Sequence, residues 1–230
     1  MLSSVCSPTS LSFIGPLPVR DSQPEPLKQA DFADVSDHQK DVNWDKYAAS
    51  GRQMAICKAS EGYDWADPST ADNRAALNKL KLGCGLYHFA GSTIHGKAEK
   101  PEVEAKYFLD QVGKLGPGEF PVLDFERSWG MTPSEQCDWM KRWCTAVEKE
   151  TGKTPWVYIP TYILKHLPAP DASQLTRFPL WIANYQSQDP ANPPAHEPWP
   201  NIAAWQYSAS VEIPGIGKSD DSFLFTSPPA

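Results

Sequence analysis

Basic residues are scarce and scattered: 21 Lys and Arg stand against 28 Asp and Glu, a formal net charge of −7 over 230 residues. Phosphate backbones are gripped by clustered cations, so this balance excludes nucleic acid as a partner. It also builds in no long-range attraction to anionic surfaces, so recognition has to come from a local site. Cysteine is sparse too. Cys6, Cys57, Cys84, Cys137 and Cys144 show neither CxxC spacing nor a dense framework, which argues against a metal knuckle or a disulfide scaffold. Cys57 and Cys84 sit in apolar, strand-like runs and read as buried free thiols. Cys137 and Cys144 lie seven apart on an expected helix, about 10.5 Å along its axis and too far for a direct bridge.

Other absences narrow the chemistry. No apolar run approaches the roughly 20 residues of a membrane helix, so membrane insertion is not expected. His38, His88, His95, His166 and His196 form no HxxxH or HExxH pair, leaving a zinc amidase or deacetylase without ligands. His88 reads as a hydrogen-bonded structural residue. Neither a Gly-rich phosphate loop nor a GxSxG elbow occurs, and no metal or cofactor is expected. Residues 1–29 lack the charged start and long apolar segment of an export signal. Their Ser and Pro content, with Pro8, Pro16, Pro18, Pro24 and Pro26, predicts a flexible arm ahead of one domain over 30–230.

What the chain does contain is an alternation. Short apolar runs at Asp31–Ser36, Gln53–Ala59, Cys84–Ala90, Phe120–Glu126, Trp156–Pro160, Pro179–Tyr185 and Ile202–Ser208 read as strands. Helical spacing fills Trp44–Ser50, Ala71–Leu82, Ala98–Val112 and Pro133–Glu150, the last opened by Thr132 and Pro133 as cap and first turn. Asp189–Pro200 is a Pro-rich loop, Ile213–Gly217 a turn, and Phe223–Phe225 a last, short strand. Repeated strand-then-helix order predicts an α/β fold: an irregular, TIM-like (β/α) barrel with a mainly parallel closed sheet. In such barrels function sits at the carboxyl ends of the strands. Polar residues gather there: Asp34 and Ser36, Lys58 and Glu61, Tyr87 and His88, Asp124 and Glu126, Asn184, and Gln206.

Pro121-Val122-Leu123-Asp124-Phe125-Glu126 carries the sharpest signal. Two acids spaced i, i+2 at a strand end share a face, about 6.6 Å apart along the backbone. Two like charges so close cannot both ionise cheaply, so one is expected to hold a proton while the other stays anionic. Glycoside cleavage needs that division, because the leaving oxygen is protonated as positive charge builds on the sugar. Capping of a following helix or metal binding is the bland alternative for a lone DxE. Asp34 closes the first strand and Asp221 precedes the last; as neighbours on a closed barrel, the two should approach one another. Tyr87, Tyr158, Trp181 and Trp205 fall at or near strand ends, where an aromatic face matches the C–H face of a pyranose, core packing being the competing role.

These residues also carry a family resemblance. Ala33-Asp34-Val35-Ser36 with His38-Gln39, Lys58-Ala59-Ser60-Glu61-Gly62, Tyr87-His88-Phe89, Leu123-Asp124-Phe125-Glu126, Leu180-Trp181-Ile182-Ala183-Asn184-Tyr185 and Trp205-Gln206-Tyr207 resemble, in order and spacing, glycoside hydrolase family 25, the Chalaropsis-type N-acetylmuramidases, over roughly residues 30–226. The resemblance implies a lysozyme acting on bacterial peptidoglycan, with Glu126 as general acid/base and Asp124 as partner carboxylate. It further implies Asp34 and Asp221 as the rest of an acidic floor, and tips Tyr87, Tyr158 and Trp181 toward substrate binding. Asp37 departs from the pattern, standing where the family usually has His; it either raises nearby carboxyl pKa values or faces solvent. A monomer acting at the cell wall is expected, phage-encoded and released into the wall space, or secreted. A non-catalytic glycan-binding barrel and a chitinase-like hydrolase are the rival readings. Retention of the acids speaks against the first, and the family blocks at both ends of the chain against the second.

Overall fold

The computed structural model describes residues 30–226; the arm expected over 1–29 lies outside the described residues. Nine strands join in one sheet, ordered β1-β9-β8-β7-β6-β5-β4-β2-β3, and an additional β1–β2 pairing closes eight of them into a barrel. They are β1 (Ala30–Val35), β2 (Met54–Glu61), β3 (Trp65–Ala66), β4 (Gly83–Phe89), β5 (Glu119–Asp124), β6 (Trp156–Pro160), β7 (Leu180–Ala183), β8 (Ala204–Ile213) and β9 (Gly217–Leu224). From β1 through β2, β4, β5, β6, β7 and β8 every pairing in the ring is parallel. The helices α1 (Trp44–Ala49), α2 (Thr70–Lys79), α3 (Pro101–Val112), α4 (Pro133–Thr151), α5 (Thr161–Leu164) and α6 (Ala169–Ala172) fill the crossovers. The expected closed, mainly parallel α/β barrel is therefore what forms, and no helix among the described residues is long and apolar enough to cross a membrane.

One end of the chain departs from expectation. The turn at Ile213–Gly217 forms as expected, but in place of a three-residue strand after it β8 and β9 form a long antiparallel hairpin, and β9 slots antiparallel between β8 and β1. The stretch Gly217-Lys218-Ser219-Asp220-Asp221 has no apolar alternation to announce a strand; its pairing with both neighbours makes it one.

The core divides into two layers because strand side chains alternate. Inside the barrel lie Phe32, Met54, Ile56, Phe120, Val122, Trp156, Tyr158, Trp181 and Leu224. Between barrel and helices lies a larger cluster including Leu86, Phe108, Leu123, Phe125, Trp143, Ile182 and Trp205. Gly85 marks how tight the inner layer is: a Cβ there would stand 2.7 Å from Ile56 Cγ1 and 3.0 Å from the Phe120 ring. Helix α4 shows how local sequence sets an element. Thr132 and Glu135 form a reciprocal capping box, Pro133 opens the first turn, and Gly152 ends the helix in the left-handed region at φ 68°. Its buried face, Cys137, Met140, Trp143, Cys144 and Val147, follows helical spacing. Cys57 and Cys84 are buried free thiols, as expected, and Cys137 and Cys144, which form no bridge, are buried too. His88 is fully buried and bonded to Ser60 Oγ at 2.9 Å and Glu104 Oε2 at 3.0 Å, with its ring stacked on Trp143.

Candidate active site

The inner face of the barrel is apolar up to its last layer and then turns polar. Each strand continues its own alternation: Phe32 leads to Asp34, Ile56 to Lys58, Val122 to Asp124, Ala204 to Gln206, and on the antiparallel β9 Leu224 and Ser222 lead back to Asp220. The result is a pocket of about 230 Å³ lined by Asp34, Lys58, Tyr87, Asp124, Glu126, Tyr158, Trp181, Tyr185, Gln206 and Asp220, with Ser36, His38 and Phe89 at its edge. Four carboxyl groups thus face one cavity at the carboxyl ends of the parallel strands, the position such barrels use for chemistry. A larger cleft of about 610 Å³, lined in part by Tyr162, Asn184 and Trp205, lacks a carboxylate pair. The smaller cavity is the one that gathers the carboxyl groups.

The fourth acid is not the expected one. Asp221 pairs with Ala33 in the sheet, whereas Asp220 pairs directly with Asp34. Successive strand residues face opposite sides, so Asp221 points out of the barrel lumen. There it is 1% exposed, with Arg52 donating to both its oxygens at 2.5 and 3.0 Å and Tyr207 OH donating at 2.5 Å. Its charge is spent on a buried ion pair, and Asp220 takes the place at the mouth that the sequence reading gave to Asp221. The approach of first and last strand does occur, and it brings Asp34 to Asp220.

The electrostatics follow from crowding. Burial pushes the Asp34 carboxyl well above its ordinary value, and the neighbouring Asp220 adds to the effect. Gln206 Nε2 donates to Asp34 Oδ2 at 2.9 Å and works the other way. Asp220 is itself raised by burial, tempered by a hydrogen bond from Asp34, so this pair is suited to sharing a proton. Burial also raises Asp124 well above the carboxylate range, with Glu126 and Asp34 as the next causes. One Asp124 oxygen is buried without a hydrogen-bond partner among the described residues. Glu126 is raised by burial, opposed by Arg127 and Lys58. Asp124 and Glu126 therefore do share the mouth, as their i, i+2 spacing requires, and both lean toward the protonated form.

The aromatic candidates divide. Tyr87, Tyr158 and Trp181 all line the pocket. Trp181 and Tyr158 are only 2% and 6% exposed, in edge contact with each other, with Trp181 Nε1 donating to Ser222 Oγ and Tyr158 OH to Gln206 Oε1. They form a floor more than a platform. Trp205 belongs to the outer layer, fully buried, donating to the Asn184 carbonyl at 2.8 Å. Two exposed aromatics at the rim escaped the sequence reading as site residues. Tyr185, 54% exposed, donates to Gln206 Oε1 at 2.6 Å. Tyr162, equally exposed, donates to the Glu126 carbonyl at 2.6 Å. Their signal was present in Ala183-Asn184-Tyr185 and Pro160-Thr161-Tyr162, each just past a strand end. Asp37 does not line the pocket; its backbone N–H donates to Asp67 at 2.9 Å.

Comparison with known proteins agrees with this geometry. A family model described as glycosyl hydrolases family 25 matches residues 33–216. The uncharacterized protein YegX of Escherichia coli O157:H7 is 29% identical over 198 residues, covering 84% of this chain and 68% of that protein. The N,O-diacetylmuramidase of Chalaropsis sp. is 25% identical over 197 residues, covering 79% and 89%. Among solved structures, the bacterial lysozyme from Streptomyces coelicolor superposes with a TM-score of 0.78 at 22% identity, covering 88% of this chain and 94% of that one.

Proposed function

The chain belongs to glycosyl hydrolases family 25, and we propose that it cuts the β-1,4 bond between N-acetylmuramic acid and N-acetylglucosamine in bacterial peptidoglycan, with Glu126 as general acid/base and Asp124 as its partner. The observation that carries the assignment of roles is the shared mouth: Asp124 and Glu126 line one cavity from one strand end, each raised by burial. A raised carboxyl retains the proton that a leaving alkoxide needs. In the first step Glu126 gives its proton to the glycosidic oxygen as the bond to the anomeric carbon breaks. Asp124, deeper in the barrel and with one oxygen left without a partner among the described residues, accepts the N–H of the substrate's 2-acetamido group. That group's carbonyl oxygen then bonds to the anomeric carbon from the opposite face. Glu126, now anionic, takes a proton from water as the water opens the resulting ring. Two acids on one strand approach the sugar from one side, which suits substrate assistance better than a protein nucleophile. Tyr87 and Tyr185 offer rings to the sugar, and Tyr158, Trp181 and Gln206 shape the floor.

The place of action is the bacterial wall. Glu126→Gln removes the proton donor with little change in shape and should abolish clearing of bacterial wall suspensions while the circular-dichroism spectrum stays native. Near-normal lysis by that variant would sink the assignment. Mass spectrometry of the released fragments should show muramic acid at the reducing end, and N-acetylglucosamine there would overturn the bond specificity.

A further inference from the structure

Among the residues lining the acid pocket, Lys58 is the one lysine or arginine, and its placement is more constrained than hydrolysis alone explains. Its side chain is 11% exposed. The ammonium lies 4.7 Å from the Trp65 ring centroid and 5.1 Å from that of Phe89, and donates to Glu61 Oε2 at 2.7 Å. Glu61 is bound in turn by Thr93, whose backbone N–H donates to Oε1 at 2.7 Å and whose hydroxyl donates to the same oxygen. Thr93 belongs to the loop after β4, and that loop is fastened to the turn after β2 at several points. Gly62 N donates to Phe89 O, His95 meets Asp64 at 2.7 Å, and the Tyr63 and His95 rings stack. A Cβ at Gly62 would come within 2.8 Å of Ser92 Cβ, so the two segments touch with no room to spare. Lysine is a flexible point charge; here rings and a carboxylate fix it.

We infer that Glu61 and Thr93 are positioning residues for the reaction, clamping the Lys58 ammonium in the mouth as the fixed counter-charge to Asp124 and Glu126. This rests on the hydrolytic reading above. The carboxyl groups facing Lys58 across the pocket are those of Asp34, Asp124, Glu126 and Asp220. Of the other charged groups nearby, Arg127 packs over Phe89 and Trp129, Asp67 is engaged by the N–H groups of Asp37 and Ser69, and the His38 imidazole is at the open rim. Lys58 opposes the upward shift of both Asp124 and Glu126, while the Glu61 charge adds to it more weakly. The two roles of Glu61 therefore differ in sign. As a bystander charge its removal lowers both carboxyl pKa values; as the anchor of Lys58 its removal lets the cation leave and raises them.

The test is a pH titration of the Asp124 and Glu126 side-chain carboxyls by ¹³C NMR, alongside the pH profile of wall lysis. Lys58→Met and Glu61→Met should both move the two titrations and the lysis profile to higher pH, by about one unit, the scale of one nearby charge. Thr93→Val should move them the same way by less, and Lys58→Arg should leave the profile near its wild-type position. Movement to lower pH in Glu61→Met, or none, would overturn the inference. Should that variant not fold, an unmoved titration in Thr93→Val would do the same. The carboxyl titrations need no substrate, so a wild-type protein that fails to cut walls would sink the hydrolytic reading while the clamp is still judged on its own.

Discussion

The two ends of β5 hold carboxylates five residues apart with opposite fates. Glu119, at the amino end, is 1% exposed and fully served: Arg74 donates to both oxygens at 2.7 and 2.6 Å, Asn78 at 2.7 Å and the Gly116 N–H at 2.7 Å. Burial works against it, yet these partners bring its carboxyl down to about 2. Asp124, at the carboxyl end, is raised by burial with Glu126 beside it and an oxygen left unpartnered. The same residue chemistry is thus tied down outside the barrel, against α2 at the amino end of the strand, and left unsatisfied at the mouth. A satisfied buried charge holds a structure together, whereas an unsatisfied one waits for a ligand.

The contrast can be broken from either end. Asp124→Asn should lose ten- to thousand-fold in activity, roughly 1.4–4 kcal/mol of transition-state stabilisation, measured as kcat/KM on soluble wall fragments. Its Tm should not fall, since a neutral amide replaces a crowded acid. Glu119→Gln should do the reverse, destabilising by about 3 kcal/mol because Arg74 is left without its anion, while kcat/KM of the folded protein stays within about two-fold. Urea unfolding followed by circular dichroism reads the first quantity. A Glu119 variant that is stable but inactive would mean that the two ends of β5 are not separable.

The smallest effect lies in the pH dependence, where the signs are opposite. A depressed carboxyl such as Glu119 contributes stability that is present above its unfolded value and lost as pH falls from about 4.5 toward about 2. A raised carboxyl such as Asp34 does the opposite: its ionisation opposes folding, so its contribution declines as pH rises above 3.8. Asp34→Asn should therefore raise stability at neutral pH by about 0.5–2 kcal/mol, as is common where an active site is relieved of strain, which is a Tm gain of a few degrees for a domain of this size. The gain should vanish near pH 3. An equal gain at both pH values would show that repacking, not ionisation, is responsible.

Much of this was readable in advance, for a physical reason. The β5 segment announces itself because Val122 and Asp124 alternate with Leu123 and Phe125, and period-2 alternation fixes which residues share a face. The Thr132-Pro133 start of α4 is equally local. Asp220 was not readable, because two acids stand side by side and only strand phase separates them. That phase is set by pairing with β1 and by the register shifts of β8 between Gln206 and Ser208 and between Ser208 and Val211, none of which a composition of Lys, Ser and Asp discloses. Lys58 and Glu61 were visible as polar residues at a strand end. Their clamp was not, since it depends on Thr93 from another crossover.

The antiparallel β9 also has a consequence for the order of manufacture. It is inserted between β1 and β8, and the turn that precedes it is moored to the far side of the chain by the Asn43 N–H, which donates to Gly215 O at 2.7 Å. Emerging from the ribosome, the parallel strands from β1 to β8 come first and leave two unpaired edges, and Asp34 has no counterpart. Only with the hairpin in that gap are the ring and the cavity complete. A chain interrupted before Asp220 thus carries Glu126 and Asp124 without the vessel that tunes them, and the onset of lytic power during synthesis should coincide with closure of the ring.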